Sequence, residues 1–251
     1  MEKRLKKALQ IVLKIGKKIS NTENIVIKRK DKNEAYTNYD ILVNEYIKEK
    51  ILKKFKYDSF ISEESKKVEG SSEYTWVLDP IDGTNNFITG IPFFCISLGL
   101  LKNNDYYAGI VHNPVLGETF LSYNNKAIFY NKKTKKYITT PEIKKENSLI
   151  SYGISRTKLN EWDKIKKSWN KLKAGFQATR NLGSAAIEIC YVGLGRLGIY
   201  MILGYNIWDI AAALVFAKNS GADFYINHEK SFLIVYNNNL KNDVQSFLSE
   251  I

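Results

Sequence analysis

The segment Trp76-Val77-Leu78-Asp79-Pro80-Ile81-Asp82-Gly83-Thr84-Asn85-Asn86-Phe87 decides how the chain is read. An apolar run of the kind that fills a buried strand stops at Asp79, Pro80 forces a turn, and a second carboxylate follows at Asp82. Both carboxylates are then expected to face a common point outside the sheet. Two like charges so placed require a cation. An all-oxygen set suits Mg2+, which takes carboxylates and carbonyls and keeps waters for a phosphate to displace. Gly83 and Thr84 follow with backbone N–H groups at a helix start, a natural cradle for phosphate. Asp, Pro and Gly also form turns for purely local reasons, so the meaning of the segment depends on the rest of the chain.

Two further acidic positions supply that context. Glu63, in Ser62-Glu63-Glu64-Ser65, and Asp209, in Ile207-Trp208-Asp209-Ile210, each set a carboxylate at the boundary of an apolar element. A merely solvated residue there would more often be Lys, Asn or Ser in this composition. Separate carboxylates at strand and helix ends are what a multi-metal phosphoryl-transfer site requires.

With 251 residues, 44% of them hydrophobic, the chain can bury a core as one large domain or two closely packed halves. The 38 Lys+Arg against 26 Asp+Glu leave a net charge of +12, which attracts nucleic acid, anionic membrane surfaces or phosphorylated metabolites. The lysines are spread through residues 47–56, 131–137 and 163–173 at spacings that put them on solvated faces. No helix-turn-helix, zinc-finger or RNP pattern accompanies them. Nucleic acid is therefore a secondary partner in this reading. Cys95 and Cys190 lie in apolar stretches without a CxxC or Cys/His pattern, so a reducing, cytoplasmic setting is expected. No segment reads as a cleavable signal peptide or a membrane span, and a soluble chain without a membrane partner is expected.

Periodicity predicts a first amphipathic helix with Leu5, Leu9, Val12, Leu13, Gly16 and Ile19 on one face. A second helix is expected from about Asp40 to Phe55, capped by Asn38 or Asp40. Residues 93–130 read as an antiparallel meander with Asn-rich turns, and from about 149 strands and helices alternate up to a terminal hairpin and short helix. The division expected is an N-terminal α+β half over residues 1–140, carrying the antiparallel sheet and the metal motif, and a C-terminal α/β half over residues 141–251.

Together, Ser62–Ser65, Leu78–Phe87 and Trp208–Ala222 resemble the signature motifs of the inositol monophosphatase family, the Mg2+-dependent, lithium-sensitive phosphatases that include an archaeal inositol monophosphatase/fructose-1,6-bisphosphatase branch. The resemblance spans nearly the whole chain. It implies a layered αβαβα sandwich of the sugar-phosphatase type, two or three Mg2+ ions (Mn2+ as the substitute), and a homodimer. It assigns Glu63, Asp79, the carbonyl of Ile81, Asp82 and Asp209 as metal ligands. Thr37-Asn38-Tyr39-Asp40 resembles the element whose Asp pairs with the Thr of Asp-Gly-Thr to position the attacking water, which makes Asp40 and Thr84 the catalytic pair. Gly183, Ser184 and Ala185 resemble the segment touching the alcohol of the substrate, and Asp82, Gly83, Thr84 and Asp209 complete the substrate set. Trp208 is expected to pack as an anchor; Glu64 and Glu188 are candidate active-site neighbours, with solvated or structural roles the expected reading.

The implied reaction is in-line attack of water on phosphorus with no covalent enzyme intermediate. His112 and His228, the only histidines, stand in no phosphohistidine motif. Three positions depart from known branches. Ile202 stands where animal-type members place an inositol-binding glutamate. Tyr200–Asp209 lacks the arginines of the fructose-bisphosphatase branch. Asn85 replaces the lysine of 3′-phosphoadenosine phosphatases. Arg156, Arg180 and Lys28 or Lys30 are the candidates for a second phosphate. The expected function is hydrolysis of inositol monophosphate or a related sugar phosphate. The alternatives are a fructose-1,6-bisphosphatase and, in another class, an RNA- or ribosome-associated binding protein.

Overall fold

The structure is a computed structural model that describes residues 3–21, 24–29, 35–132 and 134–251; Lys30 lies outside them. Helix α1 (Lys3–Ile19) buries Leu5, Ala8, Ile11, Val12, Ile15 and Ile19. The apolar face differs from the one expected: Leu13 is exposed, whereas Ile11 and Ile15 point inward. The stripe runs 5-8-12-15-19 through the small Ala8, and Leu13 falls beside it. A hairpin of β1 (Ile27–Arg29) and β2 (Ala35–Thr37) then leads into α2 (Asn38–Lys54). The cap of α2 is Thr37, not Asn38 or Asp40. Thr37 Oγ1 accepts from the Tyr39 and Asp40 amides, and the Asp40 carboxylate accepts the Thr37 amide at 2.7 Å. This reciprocal capping box places the hydroxyl one residue outside the helix, where its lone pairs meet the orphan N–H groups.

Strands β3 (Ser59–Ser62), β4 (Ser65–Val68) and β5 (Tyr74–Asp82), helix α3 (Thr84–Thr89), and strands β6 (Cys95–Lys102), β7 (Asp105–Asn113), β8 (Glu118–Tyr123), β9 (Lys126–Asn131) and β10 (Thr134–Ile138) follow. They build an eight-stranded sheet in the order β10-β9-β8-β7-β6-β5-β3-β4, antiparallel except for the β3–β5 pair. The second part of the chain contains β11 (Leu149–Ile154), α4 (Leu159–Lys173), β12 (Ala178–Arg180), α5 (Ala185–Gly193), β13 (Ile199–Leu203), α6 (Ile207–Ser220), β14 (Asp223–Asn227), β15 (Phe232–Tyr236) and α7 (Lys241–Leu248). Its five-stranded sheet has the order β12-β11-β13-β15-β14.

The layers follow from where side chains go. Val43, Ile47 and Ile51 of α2 pack with Leu98, Leu100 and Ile110 on one face of the large sheet. On its other face Val111 and Phe120 join Ile189, Leu214 and Phe216 of α5 and α6, which meet Tyr200, Leu233 and Val235 of the small sheet. Trp169, Val244 and Phe247 of α4 and α7 cover the far side through Ile199, Met201 and Ile234. β13 thus alternates between two cores, as a strand buried on both faces must. The result is the αβαβα sandwich expected from the sequence. Among the described residues no helix is long and apolar enough to cross a membrane.

Two local features aim the chain at one end of the sandwich. The first is a β-bulge, not a turn, at Pro80: Asp79 pairs with Ser97 and Asp82 with Cys95, so three steps on β5 match two on β6. In a regular strand residues 79 and 82 would point to opposite faces; the extra residue puts both carboxylates on the same one. Proline inside a central strand is tolerated only at such a bulge. The second is the close seating of α6 on the sheet. A Cβ at Gly109 would lie 2.1 Å from the Ala212 carbonyl oxygen, so only glycine lets the helix approach so near.

Candidate active site

A cleft of about 370 Å³ opens between the two sheets, lined by the ends of β5, β11 and β13 and the starts of α3, α5 and α6. Glu63, Asp79, Ile81, Asp82 and Asp209 all line it, as do Gly83, Thr84, Gly183, Ser184 and Ala185. Glu63 leaves β3 with its amide on the Leu78 carbonyl at 3.3 Å. The Asp79 carboxylate accepts the Ile81 amide at 3.0 Å and so shapes the bulge. Gly83 carries φ 93° and the Gly183 carbonyl stands 3.0 Å from where its Cβ would be; the turn into α3 therefore demands glycine. Asp209 sits in the first turn of α6, its carboxylate accepting the Asn206 amide at 2.7 Å.

Asp82 has a second role that the sequence does not display. Its carboxylate, buried among apolar groups, accepts the Ser184 hydroxyl, the Ala185 and Ala186 amides at 3.2 and 2.8 Å, and the Cys95 thiol at 3.6 Å. It thereby caps α5 and ties the large sheet to that helix at the cleft, where the positive end of the helix favours a negative charge.

Charge repulsion is concentrated here. Burial raises the Asp79 pKa well above the usual carboxylate range, and the charges of Glu63, Asp82, Asp209 and Asp40 raise it further. Burial raises Asp82 too, against the lowering effect of its bonds to Ser184 and the α5 amides. Asp40 is pushed up to about 6 by burial, opposed by its bonds to Thr37. Asp40 does not line the cleft but stands behind it, at the mouth of α2. Its partner in the sequence reading, Thr84, donates its hydroxyl to the Ile81 carbonyl at 3.0 Å, whereas Asp40 takes the Thr37 hydroxyl at 2.6 Å. The two are not directly bonded.

The donor set fits a hard cation by its chemistry. Carboxylates and one backbone carbonyl surround a single cleft, without thiol or imidazole among them, and each carboxylate makes the ionisation of Asp79 harder. Among the described residues no three His, Cys, Asp or Glu side chains stand as a ready-made ion-holding group.

Glu188 is a site residue that sequence reasoning set aside. It lines the cleft with only 1% of its surface exposed. Its carboxylate accepts the Ser151 hydroxyl and the Leu182 and Gly183 amides at 3.3 and 3.2 Å, stapling β11 to the segment before α5. The available signal was a glutamate enclosed by apolar residues, Ala185-Ala186-Ile187 before and Ile189-Cys190 after. Burial pushes its pKa up to about 7 from an ordinary 4.5. The native state therefore keeps this proton up to about pH 7, while the unfolded chain loses it near 4.5. The stabilisation is complete below the unfolded value and is lost as pH rises through that window. Thermal melts in EDTA are expected to show wild type gaining stability relative to Glu188→Gln as pH falls from about 8 to about 5; parallel curves would contradict it.

The remaining candidates divide clearly. Ile202 and Tyr200 line the cleft, with Gly153 beside Ile202 on the neighbouring strand β11; the Ile154 side chain packs with the core on the other face of the small sheet. Arg156, Arg180 and Lys28 are exposed and do not line it. Trp208 packs against Val77, Leu101 and Ala211 rather than facing substrate.

The family model described as "Inositol monophosphatase family" matches residues 1–243. Inositol monophosphatase 1 of Solanum lycopersicum is 30% identical over 82% of this chain and 77% of its own length. A fructose-1,6-bisphosphatase/inositol-1-monophosphatase of Thermotoga maritima is 30% identical over 85% of this chain and 82% of its own. The solved structure of a Thermotoga maritima IMPase superposes with a TM-score of 0.83 at 26% identity, covering 99% of this chain and 98% of that one. The chain belongs to the inositol monophosphatase family of phosphatases, that is, of phosphoric monoester hydrolases.

Proposed function

We propose that the chain hydrolyses inositol monophosphate or a related sugar phosphate, using two or three Mg2+ ions, or Mn2+ in their place. The observation that carries this is the convergence of Glu63, Asp79, Asp82, Asp209 and the Ile81 carbonyl on one cleft whose opposite wall is Gly183–Ala185. The family is generally metal-dependent. Glu63, Asp79 and the Ile81 carbonyl would hold one ion, and Asp79, Asp82 and Asp209 another. Bound there, Mg2+ supplies positive charge to the phosphate oxygens and to the leaving alkoxide, and lowers the pKa of water.

The chain's own groups do the positioning. Gly83 and Thr84 offer amides to the phosphate at the start of α3. Thr84 orients the attacking water from the cleft and Asp40, its pKa raised to about 6 by burial, supports it from outside the cleft lining; the Thr84 hydroxyl, now donated to the Ile81 carbonyl, has to turn for this. The segment Gly183–Ala185 receives the alcohol, and its position depends on Asp82 and Glu188. Replacing Glu188 by Gln puts an amide where the carboxylate accepts three donors. The Michaelis constant for a sugar phosphate is expected to rise about tenfold or more, with inhibition by inorganic phosphate nearly unchanged. Equal losses in both would assign Glu188 to general folding.

Ile202 makes the wall facing the alcohol apolar beside Gly153, and Tyr200 adds one hydroxyl. This chain therefore has few charged groups with which to select a second phosphate. Inositol monophosphate is favoured over fructose 1,6-bisphosphate on that ground, although the Thermotoga relative is named for both activities. Sensitivity to lithium, a homodimeric state and a cytoplasmic setting belong to the same proposal. The buried free thiols Cys95 and Cys190 support the last of these. The test is phosphate release from inositol 1-phosphate, fructose 1,6-bisphosphate and 3′-phosphoadenosine 5′-phosphate, each with Mg2+ and with added Li+. The expected order places inositol 1-phosphate first. Preference for the bisphosphate would favour the alternative, and turnover of none would remove the proposal.

A further inference from the structure

Among the described residues, Tyr200 is the only aromatic side chain lining the cleft. It stands on β13 with 1% of its surface exposed, and its hydroxyl has no hydrogen-bond partner among the described residues. The polar groups around it are satisfied: Ser151 donates to Glu188, which also accepts two amides, and Ser184 donates to Asp82. A phenol buried this deeply without a partner has given up its bonds to water, at a cost that a group entering the cleft can restore. Burial, followed by the charges of Glu188, Asp82 and Asp209, raises its pKa well above the ordinary 10, so it remains a neutral O–H.

Space is kept open beside this hydroxyl. On the paired strands β11 and β13, Ser151 lies next to Tyr200 and Gly153 next to Ile202. A Cβ at Gly153 would lie 2.9 Å from the Tyr200 oxygen and 3.6 Å from Ile202 Cγ1. Gly153 is not among the residues with positive φ, so the position asks glycine for room and not for conformation. Glycine inside a strand weakens it, and close approach of another group is the usual reason to keep one.

We propose that Tyr200 and Gly153 select the alcohol of the substrate: one hydroxyl of a polyol enters the notch at Gly153 and bonds the Tyr200 hydroxyl, while the carbon face of the polyol rests on Ile202. A phenol and an alcohol each donate and accept, so the two satisfy one another. The nearby carboxylates Glu188, Asp82 and Asp209 repel a second phosphate at this point. An analogue without the hydroxyl leaves the buried phenol unpaired, which is how a site of this kind discriminates strongly. The inference rests on the phosphatase reading of the same cleft, but not on which polyol phosphate is the substrate.

The experiment is steady-state hydrolysis of inositol 1-phosphate, fructose 1,6-bisphosphate and cyclohexyl phosphate by the full chain with Mg2+. Cyclohexyl phosphate keeps the ring and ester of inositol 1-phosphate and has no free hydroxyl. Tyr200→Phe removes the oxygen and keeps the aromatic ring, whereas Gly153→Ala fills the notch and keeps the oxygen. Wild type is expected to prefer a polyol phosphate over cyclohexyl phosphate. Both variants are expected to lose about tenfold or more in kcat/KM on the better of the two polyol phosphates, mainly through KM, and less than about threefold on cyclohexyl phosphate. Taking the better of the two separates a wrong choice of substrate in the reading above from a failure of this subsite. Tyr200→Phe is also expected to melt no lower than wild type, because it deletes a buried polar atom that nothing in the fold pairs. Equal losses on all three substrates, an undiminished preference for the polyol phosphate in Tyr200→Phe, or a clear drop in its melting temperature would overturn the inference. Absence of wild-type turnover on every substrate would remove the phosphatase reading itself, and this inference with it.

Discussion

Asp82→Asn is expected to reduce divalent-ion-dependent phosphate release by at least about 100-fold, because changes merely outside a metal's ligand shell already cost about 10–100-fold. The fold is expected to survive. The substitution costs one acceptor at the start of α5, where the carboxylate serves Ser184, Ala185 and Ala186, a loss on the order of 1–3 kcal/mol. It also removes a buried charge that raises the pKa of Asp79, which offsets part of that cost. Measured together, turnover should collapse while the melting temperature without metal moves by only a few degrees. Near-normal turnover would remove Asp82 from the site. Loss of turnover accompanied by unfolding would mean that the α5 contact, not metal ligation, is its main task.

Gly109→Ala is expected to show the largest loss of stability. The added methyl would stand 2.1 Å from the Ala212 carbonyl oxygen, and that neighbour is backbone in the middle of α6, so it cannot swing aside as a side chain could. Overpacking costs about 1–3 kcal/mol where side chains adjust; here the upper end is a minimum. At about 2–4 °C per kcal/mol for a chain of this size, the melting temperature should fall by at least about 6 °C. Because α6 carries Asp209 in its first turn, residual folded protein should also need more Mg2+ for half-maximal turnover. A shift under about 2 °C would contradict the close seating of α6.

The sequence revealed much of this because its strongest signals are local. Proline between two aspartates in an apolar run, and carboxylates at Glu63 and Asp209 on element boundaries, mark the cleft without knowledge of distant contacts. Helical periodicity marks α1 and α2 as helices with an apolar face. What escaped depends on contacts between segments far apart in the chain. The bulge at Pro80 is defined by its register against β6, so it read as a turn. The capping of α5 by Asp82 spans more than a hundred residues, and nothing near Asp82 announces it. Glu188 is structural as expected, but a lone glutamate in a helix gives no hint that Ser151 and the amides of residues 182 and 183 are its partners. Spacing alone puts Leu13 in the stripe of α1, whereas Leu9 packs against the core and Ala8 marks the line of approach.

The most direct test of the account is a Mg2+ titration of the purified chain with inositol 1-phosphate, followed by phosphate release and repeated in excess EDTA. The account predicts release that rises with Mg2+ to saturation, disappears in EDTA and returns when Mg2+ is restored. Release that persists unchanged in EDTA would contradict the carboxylate cleft as a metal-dependent phosphatase site.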